Sequence, residues 1–357
     1  MRSRIGHRRL ANLRISRTLG GSPAELVAWL GAVQSQEYQA AKWGLALRLR
    51  RANRDADIDG AVDAGQILRT HVMRPTWHFV AADDIRWMLE LTAPRVHQTL
   101  ASYTRRQGLD GLLVKAATVF ERALGGGEAL TRAELGDRLG RTGTRVDALQ
   151  LSLLALYAEL EGVICSGPRR GRQFTYALLS DRAPNARRLP RDEAVAELTR
   201  RFFRSHGPAT IRDFVWWSGL LTGDARRGLD MIRARPESVD GLTYWSVGQV
   251  RAAPRRGPAV DLLPIYDEYL VAYRDRAAVP HGPPAVRTRA RPAVPFQHAV
   301  VIDGQIVGTW RNHRTPMAHV VDVVALRRIS AVERRALDGA VARYARFLGV
   351  PVTFRIS

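Results

Sequence analysis

The sequence predicts a mainly helical α+β chain in which short helices alternate with small β-hairpins. Two observations carry this. A block of helix, helix and hairpin occurs at about residues 110–180, returns at about 191–247, and fits the first 80 residues less cleanly. After about residue 258 the pattern changes to strands with one long helix. The repeated block is the winged-helix plan, a helix-turn-helix followed by a β wing. The expected organisation is therefore a first unit over 1–109, a second over 110–190, a third over 191–250, and a β-rich domain with one helix over 259–357.

The elements follow in order. Apolar spacing predicts helices over 5–19 and 23–32, the second opened by Ser22-Pro23. Residues 66–80, QILRTHVMRPTWHFV, alternate in character and predict two short strands with Pro75 at an edge or bend. Helices are expected at about 82–92, 94–106 and 110–124. Gly125-Gly126-Gly127 then breaks the chain. Thr131-Arg132-Ala133-Glu134 is a capping box for a short helix ended by Gly140, and a longer helix runs through about 144–160. In GVICSGPRRGRQFTYALL, residues 162–179, two apolar strands flank a turn carrying Arg169, Arg170 and Arg172. Residues 191–206 predict a helix, Thr210 and Thr222 are expected caps for the next two, and VDGLTYWSV turns at Asp240-Gly241. RAAPRRGP, 251–258, is the expected linker, and the Pro/Arg-rich stretch 279–295 is expected to be mobile. AVVIDGQIVGTW is a hairpin turned at Asp303-Gly304, Ser330-x-x-Glu333 caps a helix over 331–348, and VPVTFRI closes as a strand.

Composition narrows the function. Among 357 residues there are 55 Lys and Arg against 34 Asp and Glu, a net charge of +21. All but Lys42 and Lys115 of those cations are arginine, and residues 1–54 alone carry 11 basic and 2 acidic side chains. A GC-rich genome explains arginine in place of lysine but not the cationic excess. The excess points to a polyanion, nucleic acid first, and arginine is the better fork for phosphate. The single cysteine, Cys165, excludes an internal disulfide, an iron–sulfur cluster and a multi-cysteine zinc site. Neither lysine stands in a Gly-Lys-Ser/Thr loop, which excludes a P-loop ATPase. No apolar run approaches the ~20 residues of a membrane span, and the first residues lack the apolar stretch of a secretory signal. The expectation is a cytoplasmic, nucleoid-associated monomer.

Five places can carry chemistry or contact. Gln34-Ser35-Gln36-Glu37-Tyr38 follows the apolar helix AELVAWLGAV. Glutamines two apart share a side only in extended backbone. Either they are a solvated helix end, or the chain leaves helical geometry and two neutral amides converge on a water or a base edge. RTHVMRPTWHFV offers Arg69, His71, Arg74 and Trp77 for phosphate contact and base stacking, against the alternative of a packed wing strand. His71 and His78 have no carboxylate between them, so no metal and no cofactor is expected. Arg169, Arg170 and Arg172 at the second turn, and Arg311 and His313 on the late hairpin, are further basic candidates for DNA. Tyr266-Asp267-Glu268-Tyr269 pairs carboxylates that suit acid–base work or simply cap a helix. Tyr38, Tyr266 and Glu268 are the candidates for a site rim. Trp216-Trp217 reads as core.

VQSQEYQAAKWGLALR, RTHVMRPTWHFV, ELEGVICSGPRRGRQFTYALL, SHGPATIRDFVWWSGL and LLPIYDEYLVAYRDR, in this order, resemble the AlkZ-like (YcaQ-related) winged-helix DNA glycosylase family. The resemblance covers about residues 5–350. It implies three winged-helix motifs in a C shape around damaged duplex DNA, and a C-terminal β-rich domain. It implies excision of N-alkylated purines, including bulky adducts and interstrand crosslinks. The family's catalytic signature is two glutamines flanking one residue, here Gln34 and Gln36. The central residue, usually aliphatic, is Ser35. The YcaQ branch carries Asp at the second position, so Gln36 sides with AlkZ. The resemblance implies a water held by two amides, no Schiff base, no lyase step, and a shallow, open site. The rival expectations are a winged-helix transcription regulator and a DNA binder without catalysis.

Overall fold

The computed structural model describes residues 2–51, 54–248, 257–274, 297–315 and 319–357. Most of the expected linker, the Pro/Arg-rich stretch and Arg276 lie outside the described residues.

The chain opens with α1 (Arg2–Asn12). Then come α2 (Pro23–Leu30), β1 (Val33–Gln34), α3 (Tyr38–Ala46), α4 (Asp55–Asp63), β2 (Ile67–His71) and β3 (Trp77–Ala81), whose strands pair antiparallel in the order β1-β3-β2. After α5 (Ile85–Arg106) the same order returns. It comprises α6 (Leu112–Leu124), β4 (Leu130–Thr131), α7 (Arg132–Gly140), α8 (Ala148–Leu160), β5 (Ile164–Ser166) and β6 (Thr175–Leu178), paired β4-β6-β5. Past the single turn α9 (Leu179–Arg182) it returns again with α10 (Arg191–Ser205), α11 (Ile211–Ser218), α12 (Thr222–Met231), β7 (Arg235–Val239) and β8 (Leu242–Ser246). The first strand of this third pass is reduced to one bridge, Ala209 to Trp245.

The remainder forms a five-stranded sheet of order β13-β12-β11-β10-β9. It contains β9 (Val260–Leu263), the short α13 (Glu268–Val271), β10 (His298–Ile302), β11 (Gln305–Arg314), β12 (His319–Ala325), α14 (Ala331–Leu348) and β13 (Val352–Ile356). β12 and β13 are parallel, which needs a crossover, and α14 supplies it. No helix among the described residues is long and apolar enough to cross a membrane.

Side-chain caps set several helix starts, as the sequence predicts. Ser22 with Glu25, Thr131 with Glu134, Thr210 with Asp213, and Ser330 with Glu333 form reciprocal boxes. Three expectations shift. Thr222 is the first helical residue rather than the cap, a place taken by Leu221. The helix expected to 19 stops at Asn12, and Arg14 takes a left-handed φ of 62°. The two helices expected around Pro94 are one. Pro94 forfeits one backbone bond, but Leu89, Leu91, Ala93 and Val96 on either side of it are buried and hold the helix through.

Two cores result. One joins the first and third passes to the C-terminal sheet, running from Leu10 through Trp87 and Trp217 to Phe347. The other lies within 109–178 and is built on Phe120, Leu135, Leu154 and Ile164. Between the first pass and the C-terminal sheet, Trp43 donates its indole N–H to the Leu262 carbonyl at 2.7 Å. Buried Arg48 also grips both oxygens of Asp267 at 2.7 and 2.8 Å.

Candidate active site

The glutamines leave helical geometry. Gly31 ends α2 with φ 87°, open to glycine but strained for other residues. The chain then extends, pairing Val33 with Phe79 and Gln34 with His78. Ser35 prolongs the ladder by donating its N–H to the Trp77 carbonyl at 2.7 Å. Alternation puts Gln34 and Gln36 on one side and Ser35 on the other. Ser35 is fully buried, Gln34 half-buried and Gln36 exposed.

Each amide has one partner among the described residues. Arg74 donates from Nη2 to Gln34 Oε1 at 3.4 Å, and the Trp77 N–H donates to Gln36 Oε1 at 3.3 Å. A guanidinium and a peptide N–H are obligate donors. Each glutamine therefore meets its partner with the carbonyl oxygen and turns its NH₂ the other way. The second lone pair of each carbonyl remains available, so each amide can both donate and accept. Arg74 also donates to His78 Nε2 at 3.4 Å. His78 Nδ1 lies 2.8 Å from the Thr76 carbonyl, the place of a ring N–H donor. Burial, with the Arg74 charge beside it, drives the His78 pKa down to about 3, so the ring is neutral at pH 7. Burial lowers Arg74 as well, against the pull of Glu268.

A buried carboxylate lies beneath. Glu268 takes the Gln34 main-chain N–H at 3.0 Å on one oxygen. On the other it takes the Trp217 indole at 3.0 Å and His206 Nε2 at 3.2 Å. Burial alone would raise its pKa. The hydrogen bond and charge of His206, the Gln34 N–H and Arg74 outweigh that and lower it. Glu268 is thus an ionised floor post rather than a rim residue, since it is 1% exposed.

The other candidates separate. Arg69 is almost wholly buried and donates from Nε and Nη2 to the Ser35 carbonyl at 3.2 and 3.1 Å. It also lies 4.2 Å over the Trp77 ring. Burial lowers it to about 10, which leaves it a cation. His71 turns Nδ1 to Glu159 of α8, so the wing-strand alternative describes these two side chains better than phosphate contact does. Tyr38 is buried, donating to Asp59 at 2.8 Å. Arg169 bridges Asp59 and Asp63 of α4 at 3.1 and 3.2 Å. Arg170 pairs with Glu134, and Arg172 is exposed with no side-chain partner among the described residues. His313 faces Asp322 at 3.1 Å, while Arg311 is exposed on β11. Tyr266 is half-buried with φ 60°. Neither β11 residue is brought to the glutamines.

His78, His206 and Trp217 complete the support and were not candidates. His78 is the cross-strand neighbour of Gln34, legible once that register is known. His206 and Trp217 carry no signal: a lone histidine at a helix end and a tryptophan rightly read as core.

With this geometry in view, the comparisons become specific. The family model described as DNA glycosylase AlkZ-like matches residues 27–347. The chain is similar to an interstrand DNA cross-link repair glycosylase of Streptomyces sahachiroi, 27% identical over 306 residues, covering 81% of this chain and 82% of that protein. The solved structure of Streptomyces sahachiroi DNA glycosylase AlkZ superposes with a TM-score of 0.80 at 23% identity, over 99% of both chains, and shares the fold.

Proposed function

The chain belongs to the AlkZ-like family of DNA glycosylases, and on that premise we propose that Gln34 and Gln36 hold the water that hydrolyses the N-glycosidic bond of N7- or N3-alkylated purines in duplex DNA. One observation carries the reading. Two amides two residues apart, one at the end of the short strand β1 and one just past it, are each met by a donor at the carbonyl.

The chemistry needs little else. An N7-alkylguanine already bears a positive charge. When the C1′–N9 bond breaks, its electron pair enters the ring and neutralises that charge, so no strong general acid is required. Water oxygen forms the new bond to C1′ and its proton passes to solvent, leaving free base and an abasic sugar. The amides accept from the water's O–H groups or donate to its oxygen, and so aim it. Orientation of this kind is worth several kcal/mol, with ~7–11 as the upper range. Arg74 is a positioning residue that sets the Gln34 amide. Glu268 pins the Gln34 backbone.

The enzyme acts without a lyase step. A Schiff base needs an amine at the reacting sugar, and neither lysine stands by the glutamines: Lys42 is buried between Asp55 and Asp59 at 2.8 Å from each, and Lys115 is on α6 in the second pass, beside Thr144. The exposed position of Gln36 suits a shallow site. The Streptomyces relative, an interstrand DNA cross-link repair glycosylase, extends the reading to interstrand crosslinks. We read the thrice-returning helix and strand order as three tandem winged-helix units that hold the duplex as a monomer along a concave face. Arg170, Arg172 and Arg311 are then phosphate contacts.

A duplex bearing one N7-methylguanine tests this. Purified protein releases the base, and strands break only after alkali. Gln34→Ala/Gln36→Ala lowers the single-turnover rate by about a hundredfold or more. A double variant that excises at the wild-type rate overturns the assignment.

A further inference from the structure

Beside the glutamines, an open hollow of about 900 Å³ lies between the β2–β3 loop, α5 and α11–α12. Arg74 forms its inner wall, with Arg95, Arg212, Trp216, Leu221 and Arg274 around it, and no carboxylate lines it among the described residues. Elsewhere on the surface, exposed arginines such as Arg170, Arg188, Arg191 and Arg227 carry acidic partners. Arg212 has no side-chain partner among the described residues, and Arg95 meets only the neutral Gln98 amide. Arg274 donates its backbone N–H to Asp213 and carries its guanidinium 5.9 Å from the Trp216 ring centre.

Trp216 is 41% exposed, unlike Trp217 beside it, which is buried. Its indole N–H is tethered to the Val271 carbonyl at 2.9 Å, which fixes the ring while leaving it open to the hollow. Arg212 and Trp216 stand one turn apart on α11 and therefore share a face. A fixed aromatic ring flanked by uncompensated guanidiniums matches a ligand with a π-face and an anion joined by a short spacer. A nucleotide has that chemistry. A free anion has no use for the ring, and an apolar ligand has none for four arginines. In a paired, stacked duplex both faces of a base are covered, so the nucleotide must be unpaired.

We propose that this hollow is a nucleotide site: one unpaired nucleotide of the bound DNA stacks its base on Trp216 and sets its phosphate between Arg212 and Arg274. The proposal rests on the reading that the protein works on DNA. It adds that the strand beside the lesion is opened and one nucleotide is parked there. Damage that weakens stacking lowers the cost of that extrusion. Because Arg74 touches both the hollow and Gln34, an occupied hollow also braces the catalytic amide.

The test uses lesion-free single strands, so its outcome does not depend on excision. Binding of a thymidine pentanucleotide is compared with that of a pentameric abasic strand of the same charge. Wild type prefers the base-bearing strand by about tenfold. Trp216→Ala abolishes that preference and Trp216→Phe restores most of it. Arg212→Ala/Arg274→Ala weakens both strands alike and lowers the slope of log affinity against log salt by about 1–2. Equal affinity of wild type for the two strands, or a preference that survives Trp216→Ala, overturns the proposal. Failure of the intact protein to release N7-methylguanine overturns the functional reading instead, and leaves this measurement standing.

Discussion

The first and second hairpins are built to one plan and use their arginines in opposite ways. In the first, β2–β3, the cations point inward. Arg69 holds the Ser35 carbonyl, and Arg74 holds the Gln34 amide and His78. In the second, β5–β6, Arg169 ties the turn to α4, Arg170 to Glu134, and Arg172 is left to solvent. A charge count treats the two alike. The difference teaches that arginine in these hairpins has two tasks, and that burial tells them apart. A buried guanidinium with carbonyl acceptors sets geometry; an exposed, unpaired one supplies field.

The largest expected effect tests the inward task. Arg74→Ala frees the Gln34 amide and lowers the single-turnover excision rate on the order of tenfold to a hundredfold. Both contacts leave from the one nitrogen Nη2, so Arg74→Lys restores the rate to the extent that its ammonium reaches that point. A loss confined to DNA affinity, with the rate at saturating DNA intact, would put Arg74 with Arg172 and erase the contrast.

Acid stresses the first hairpin by a route the second lacks, since residues 162–179 contain no histidine. His78 titrates near 3 when folded and near ~6.5 when unfolded. Between those values the unfolded chain binds the extra proton, so stability rises with pH and is lost as pH falls below ~6.5. Glu268, with its lowered pKa, adds its own loss only further down, below the ordinary carboxylate range. Urea midpoints measured from pH 7.5 to 5 therefore decline, and His78→Gln flattens the decline whatever its stability at neutral pH. Parallel curves for the two proteins would show that His78 is not the titrating group.

The smallest effect belongs to the outward arginine. Arg172→Ala weakens binding to any duplex a few-fold and reduces the salt slope by about 1. An unchanged slope would mean that the second wing tip does not meet phosphate.

The sequence made local decisions legible and distant ones not. Capping boxes, the Asp-Gly turns at 240–241 and 303–304, and the repeated helix and strand order are all carried by neighbours in the chain. So is the geometry of the glutamines, once Gly31 stops α2. The unbroken α5 was misjudged because burial on either side of Pro94 overrode its local signal, whereas nothing in the structure explains why exposed Leu221 takes the cap position before Thr222. The support of the site was hidden for a plainer reason. Glu268 looked like half of an exposed carboxylate pair, and only the docking of α13 beneath β1 turns it into a post under Gln34. Arg169 looked free because its partners, Asp59 and Asp63, lie more than a hundred positions earlier.

The hydrogen bond from the Gln34 backbone to Glu268 joins positions 234 residues apart. Synthesis therefore delivers one half of the site long before the other. A ribosome that stalls after the third repeated block has made both glutamines and every basic wing, yet the strand bearing the amides still lacks its anchor. If the two glutamines do the work proposed for them, base removal needs the chain past residue 268 as well, because only then does the Gln34 backbone gain its anchor.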